Sequence, residues 1–161
     1  HVIGAITDGE APGTGDIAMS TAQLLPHAEI VVVTTPQLGA ADVAIRAGTL
    51  AAQTHQKVFG VIENMSSFPC PHCGEPIDLF GAGGGKSVAD GLSKTLGTSI
   101  PVLGNIPFDV RLREGGDTGK PLVSAFPDSD AAAVIAAIAQ QLSAKPRGLA
   151  GMNLNITPAG R

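Results

Sequence analysis

The 161-residue chain has no tryptophan, no tyrosine and only five phenylalanines. Charge is also sparse: 15% of residues are Asp, Glu, Lys or Arg, and the formal net charge is −4. A protein that binds nucleic acid through its phosphates needs a basic face, so no nucleic-acid partner is expected. No apolar run approaches the roughly 18–20 residues of a membrane span, so no membrane partner is expected either. Two cysteines in 161 residues exclude a disulfide scaffold. The opening His1-Val2-Ile3-Gly4 lacks a basic region followed by a long apolar core, so no secretory signal is expected and the compartment is read as the cytoplasm. What is abundant is glycine, with 21 residues, and hydrophobic side chains, at 43%. That content supports a buried core, and the length suits one domain by the usual range of roughly 100–200 residues. Few aromatics with much Gly, Ala and Val point to an α/β protein, in which small side chains fill the space between a parallel sheet and its helices.

The hydrophobic pattern agrees. Val2 to Thr7 is a short apolar run, and Ile17 to Leu25 reads as a helix ended by Pro26. Glu29 to Thr35 holds a continuous β-branched run without alternation, as in a strand buried on both faces. Ala41 to Lys57 reads as a helix with Val43, Ala47, Leu50, Ala51 and Thr54 on one face. Val58 to Ile62 is a second buried strand. Residues 63–85 lack helical period and read as a long loop, of the length that marks function. Lys86 to Leu96 resumes a helix through Val88, Leu92 and Leu96, and Ile100 to Ile106 is a third strand. Pro107 to Pro121 reads as polar loop with a turn of helix. Asp128 to Leu142 is a helix capped by Asp128, Ser129 or Asp130, with Ala131, Ile135, Ile138 and Leu142 facing inward. The rhythm is that of a parallel sheet with flanking helices. The expected organisation is an α/β domain over residues 1–144, with its cysteine loop at 63–85, and a tail over residues 145–161.

Cys70-Pro71-His72-Cys73-Gly74 is the sharpest local feature. A C-x-x-C turn aims two thiolates at one metal, but two thiolates leave a tetrahedral site half filled. One reading is a symmetric dimer whose four cysteines hold a [4Fe–4S] cluster or a zinc ion. A thioredoxin-like redox pair needs the motif at a helix N-terminus after a strand, and here Pro69, Pro71 and Pro76 surround it. A structural zinc knuckle between chains, or two free thiols, is the third reading.

Gly81 to Ser87 imitates a phosphate-binding loop. The Walker A pattern places four residues between its first Gly and Gly-Lys-Ser/Thr, and here that first position is Phe80. The segment before it is also a poor buried strand, so the glycines read as a helix-entering loop. Pro12 to Asp16 is a second glycine-rich turn, whose backbone N–H groups suit a phosphate or an ordinary turn alike.

Eight motifs follow one another in order: APGTGD (11–16), AQLLP (22–26), VVVTTPQ (31–37), VIENMS (61–66), CPHCG (70–74), LFGAGGG (79–85), IPVLGNIPFDVRLREGGDTGKP (100–121) and PDSDAAA (127–133). Together they closely resemble the Mrp/ApbC family of P-loop NTPases, which are iron–sulfur cluster carriers. The resemblance implies a doubly wound α/β fold, a homodimer, and ATP with Mg bound in the full-length parent. It implies that Cys70 and Cys73 ligate a [4Fe–4S] cluster bridged across the dimer for transfer to apo iron–sulfur proteins, with zinc as the substitute metal. Gly13, Thr14, Gly15 and Asp16 become the switch II loop that senses the γ-phosphate. Asn64 becomes the adenine contact, and Pro107 lines the base pocket from the other side. Two departures stand out. No lysine-bearing Walker A loop lies upstream of residue 11, and Asp8 is one place out of register for a Walker B aspartate. The chain is therefore expected to be a portion of the parent with little or no ATPase activity alone. The alternative expectation is a zinc-bridged structural dimerisation domain without cluster transfer.

Overall fold

The computed structural model describes residues 5–6, 29–53 and 56–144. In chain order the elements are β1 (Ala5–Ile6), β2 (Glu29–Thr34), α1 (Leu38–Gln53), β3 (Lys57–Asn64), β4 (Phe68–Pro69), β5 (Pro76–Ile77), α2 (Gly84–Leu96), β6 (Val102–Ile106), α3 (Val110–Thr118), α4 (Leu122–Ala125) and α5 (Asp130–Ser143). The β-branched runs do form strands. They make one parallel sheet in the order β1-β2-β3-β6, with Val32 opposite Val61 and Asn64 opposite Ile106. Helices connect the strands, α1 from β2 to β3 and α2 from β3 to β6, as parallel neighbours require. The expected parallel sheet with flanking helices is therefore the observed architecture.

The main core is built from Val32, Val58 and Val61 of the sheet, Ala41 and Ala44 of α1, and Val88, Ala89 and Leu92 of α2, with Ile100 beside them. Val61, Val88 and Leu92 are wholly buried. At about 25 cal/mol per Å² of apolar area, each such side chain contributes on the order of 1.5–3 kcal/mol. The α2 face matches the expected one, with Val88 and Leu92 inside and Leu96 half-buried.

The α1 face matches only in part: Ala47 is buried and Leu50 half-buried, while Thr54 lies outside the described residues. Val43 is 51% exposed, and the buried stripe runs through Ala41, Ala44 and Ala47. The contact with α2 interlocks large with small: Leu92 packs over Gly48 of α1, and Ile45 of α1 packs over Gly91 of α2, which leaves Val43 outside. Strand β2 also departs from uniform burial, because Val32 and Thr34 are buried while Ile30, Val31 and Val33 are half-buried.

A second cluster joins Leu122 of α4 to Ala131 and Ala132 of α5, against Ile106 and Leu112. Ser129 caps α5 by accepting a hydrogen bond from the Ala132 N–H at 3.3 Å. The helix is tied to the sheet by the Gln141 side-chain amide, which donates to the Leu103 carbonyl at 2.9 Å. Ala131 and Ile138 are buried as expected, and Ile135 and Leu142 are half-buried.

Where polar loop was expected over 107–121, the chain forms α3. Asp109 starts it, accepting from the Arg111 N–H at 2.9 Å and pairing with the Arg111 guanidinium at 2.7 Å. That pairing holds the Asp109 carboxyl below its usual range. The helix buries none of its residues, so no apolar stripe announced it. Residues 63–85 are likewise more ordered than a loop: β3 runs to Asn64, a two-stranded ribbon follows, and α2 begins at Gly84. Among the described residues, no helix is long and apolar enough to cross a membrane.

Candidate metal site and nucleotide edge

All strands of a parallel sheet end on one side, and ligands of open α/β sheets bind outside those carboxyl ends. Here that edge brings Asn64 of β3 level with Ile106 of β6, so Asn64 and Pro107 leave the sheet from neighbouring positions. The chain turns sharply after Asn64. Its side-chain carbonyl accepts from the Met65 N–H at 3.0 Å, and Met65 takes a left-handed φ of 59°. Two further backbone bonds join the exits of the two strands: Ser66 N–H to Ile106 O at 3.0 Å, and Phe108 N–H to Ser67 O at 2.7 Å.

The cysteines sit beyond this edge, at the tip of the ribbon made by β4 and β5. Phe68 lies opposite Ile77 and Pro69 opposite Pro76. The turn is closed by Cys70 N–H to Glu75 O and Gly74 N–H to Cys70 O, both at 2.8 Å. Gly74 has φ of 76°, a conformation that favours a residue without Cβ. Inside the turn, the Cys70 sulfur accepts hydrogen bonds from the backbone N–H groups of Cys73 and His72 and from the Cys73 thiol. These bonds pull the Cys70 thiol below its usual pKa, favouring the thiolate that binds metals. Both cysteines are free, Cys70 half-buried and Cys73 exposed. Among the described residues no cluster of three or more His, Cys, Asp and Glu side chains is placed to hold a metal. Among the described residues the tip thus offers two cysteine sulfurs.

Three of the five phenylalanines fasten the ribbon to the sheet edge. Phe108 meets Phe68 edge-on at 5.8 Å between centroids and Phe80 at 6.2 Å. Sequence reading missed this trio, although each lies within or beside a motif segment.

The imitation phosphate loop has a packing explanation. Glu63, only 4% exposed at the end of β3, accepts the Gly85 N–H at 2.6 Å, so the start of α2 already faces a carboxylate. A Cβ on Gly85 would stand 2.8 Å from that of Glu63, and one on Gly84 would run into Thr35 O and Pro36. Lys86 points outward and pairs with Asp90 at 2.7 Å. Glu63 too was missed; its signal is an acidic residue ending an otherwise apolar buried strand. Gly13, Thr14, Gly15 and Asp16 of the expected switch II loop lie outside the described residues, as does the tail over 145–161.

The profile of the family described as NUBPL iron-transfer P-loop NTPase (ParA) matches residues 8–143. The chain belongs to this family. It is 52% identical over 150 residues to the iron-sulfur cluster carrier protein of Mycobacterium tuberculosis, covering 93% of this chain and 39% of that protein. It is 37% identical over 142 residues to the cytosolic Fe-S cluster assembly factor NUBP2 of Bos taurus, covering 86% and 50%. The chain thus spans about two-fifths of the mycobacterial relative's length. Among solved structures, the MinC:MinD cell division protein complex of Aquifex aeolicus superposes with a TM-score of 0.60 at 18% identity, over 84% of this chain and 49% of that one. That likeness establishes the P-loop NTPase type of fold. The expected kinship and the expected fold class both stand.

Proposed function

We propose that this chain is the cysteine-bearing portion of an iron–sulfur cluster carrier. A [4Fe–4S] cluster is its cargo, held between two copies by Cys70 and Cys73 of each and passed to apo iron–sulfur proteins. The observation that carries this reading is the cysteine tip itself. It brings two cysteines into one turn, with the Cys70 thiol held below its usual pKa by hydrogen bonds from the Cys73 and His72 backbone, and the two sulfurs it offers become four with a second copy. The exposure of Cys73 fits a cargo that must be reached by an acceptor. The names of the relatives support the same reading.

Nucleotide binding belongs to the whole carrier. Asn64 and Pro107 flank one position at the carboxyl edge of the sheet, as a base-binding pair requires, and Gly13, Thr14, Gly15 and Asp16 serve as switch II. ATP with Mg is the nucleotide. Residues 1–144 act as one domain and 145–161 as its tail, in a reducing cytoplasm where free thiols persist.

A second reading is a zinc-bridged structural dimer. It is favoured by the hairpin turn, because N–H donors on a cysteine sulfur suit zinc as well as iron. Anaerobic reconstitution with iron and sulfide distinguishes the two. The carrier reading expects a brown dimer with four irons per two chains, lost in the Cys70→Ala, Cys73→Ala double variant. Zinc uptake without cluster uptake would overturn it.

A further inference from the structure

The cysteine ribbon leaves the sheet at β3 and returns at α2, and both ends of that excursion meet at one buried carboxylate. Glu63 is the penultimate residue of β3 and 4% exposed. Its side chain reaches across 22 residues of sequence to the Gly85 N–H at 2.6 Å. The fit around this bond is close. Gly85 has no room for a Cβ against the Glu63 side chain, and Gly84 has none against Thr35 O and Pro36 at the end of β2. The start of α2 is therefore wedged between the ends of β2 and β3 and locked by a charge-assisted bond. Between the two locked ends, residues 71–79 are all exposed, held by the pairing of β4 with β5, by local backbone bonds and by the contact of Phe68 and Phe80 with Phe108.

We propose that Glu63 is a positioning residue for the metal site: its bond to Gly85 sets the base of the ribbon and so the direction in which Cys70 and Cys73 face a second copy. This rests on the reading of the cysteines as a metal site. A site assembled from two chains depends on that direction more than a site closed within one chain, because each pair of sulfurs must meet the other across an interface. Groups bonded directly to metal ligands change affinity about 10–100-fold when removed; Glu63 acts through the ribbon's base instead, so an effect at the lower end is expected. A carboxylate acting only on the fold would change stability without that selectivity.

The test uses the full 161-residue chain and Co²⁺ alone as the probe, read by its sulfur-to-cobalt charge-transfer band. Amide hydrogen exchange is followed in parallel. Glu63→Met removes the acceptor while keeping bulk, and Glu63→Gln keeps an acceptor oxygen. The expected result is roughly tenfold weaker cobalt binding in E63M, binding close to the parent chain in E63Q, and faster exchange of the Gly85, Cys70 and Gly74 amides in E63M alone. Should E63M fail to fold, E63D replaces it, retracting the carboxylate by one methylene. Cobalt binding in E63M or E63D equal to that of the parent chain would overturn the proposal. So would a Gly85 amide that exchanges in the parent chain as fast as the exposed ribbon amides. If the parent chain itself gives no charge-transfer band, the metal reading fails. The exchange pattern then decides the role of Glu63: selective loosening of the ribbon in the acceptor-free variant supports it, and unchanged exchange refutes it.

Discussion

The sheet under α1 and α2 and the ribbon that carries the cysteines are built by opposite means. In the first, Val61, Val88 and Leu92 are wholly buried and the elements hold one another by apolar contact. In the second, residues 71–79 are exposed, and the shape comes from the β4–β5 pairing, backbone bonds within and at the base of the ribbon, three phenylalanine rings and one buried carboxylate. The difference is instructive because it separates stability from chemistry. A core that closes on itself needs no partner. On the proposed reading, a tip that offers two sulfurs and little buried surface is completed by a second copy, and its energetics belong to that loaded pair.

Crossed substitutions are the strongest way to break that comparison. Leu92→Ala removes a fully buried side chain from the main core and is expected to cost about 2–5 kcal/mol of stability. The protein that remains folded should still bind metal with the stoichiometry of the parent chain. Cys70→Ala with Cys73→Ala should do the reverse: metal binding is abolished, and the unfolding free energy of the metal-free chain changes by no more than about 0.5 kcal/mol. Urea titrations with and without metal measure both. A large loss of apo stability in the cysteine variant would mean that the ribbon is part of the core after all.

A smaller effect is expected at α3, which resembles the ribbon in burying none of its residues. Its hold is the Asp109 cap and the Arg111 pair. Asp109→Ala should lower stability at neutral pH by about 1 kcal/mol, the usual worth of an N-cap. The sign with pH follows from the depressed carboxyl. Its contribution is complete above the ordinary carboxylate pKa of about 3.9 and is lost as pH falls through the lower folded value. The gap between parent and variant should therefore narrow in acid, and a gap that widens there would refute the assignment.

How much of this was legible in the sequence follows the same division. Strand β2 announced itself because a parallel strand covered by helices suits an unbroken β-branched run, and β3 and β6 did so through the short apolar runs Val58 to Ile62 and Ile100 to Ile106. Helix α2 did so through Val88 and Leu92. On the α1 face Val43 was misread, because periodicity ranks residues by hydrophobicity, whereas the contact with Leu92 falls on Gly48 and Val43 is left outside. Helix α3 was invisible because its glycines depress helix propensity and no apolar stripe offsets them; only the Asp109 cap could have signalled it. At the site, the cysteine pair is a local motif and was read directly. Asn64 and Pro107 are 43 residues apart and meet only through strand register; the resemblance named them, and periodicity had no access to them. Glu63 was hidden for a related reason, since its partner is a backbone N–H that carries no letter in the sequence.

The smallest expected effect lies in the tip and concerns a single thiol. The Cys70 sulfur receives N–H donors from Cys73 and His72, with the Cys73 thiol as a further donor. In a Cys73→Ser chain the two backbone donors remain, so Cys70 should still titrate below the ~8.5 of a free cysteine. Concentrated urea, which dissolves the turn, should return it to that value. The pH dependence of iodoacetamide labelling reads the midpoint in both states. Because the folded value lies below the unfolded one, the folded chain holds fewer protons between the two, and the apo protein should gain stability as pH rises through that window. The gain is lost again as pH falls through the folded value. Identical labelling midpoints in folded and unfolded chains would remove the preorganised thiolate from the account of the site, while leaving the apolar core, which makes no use of it, as it stands.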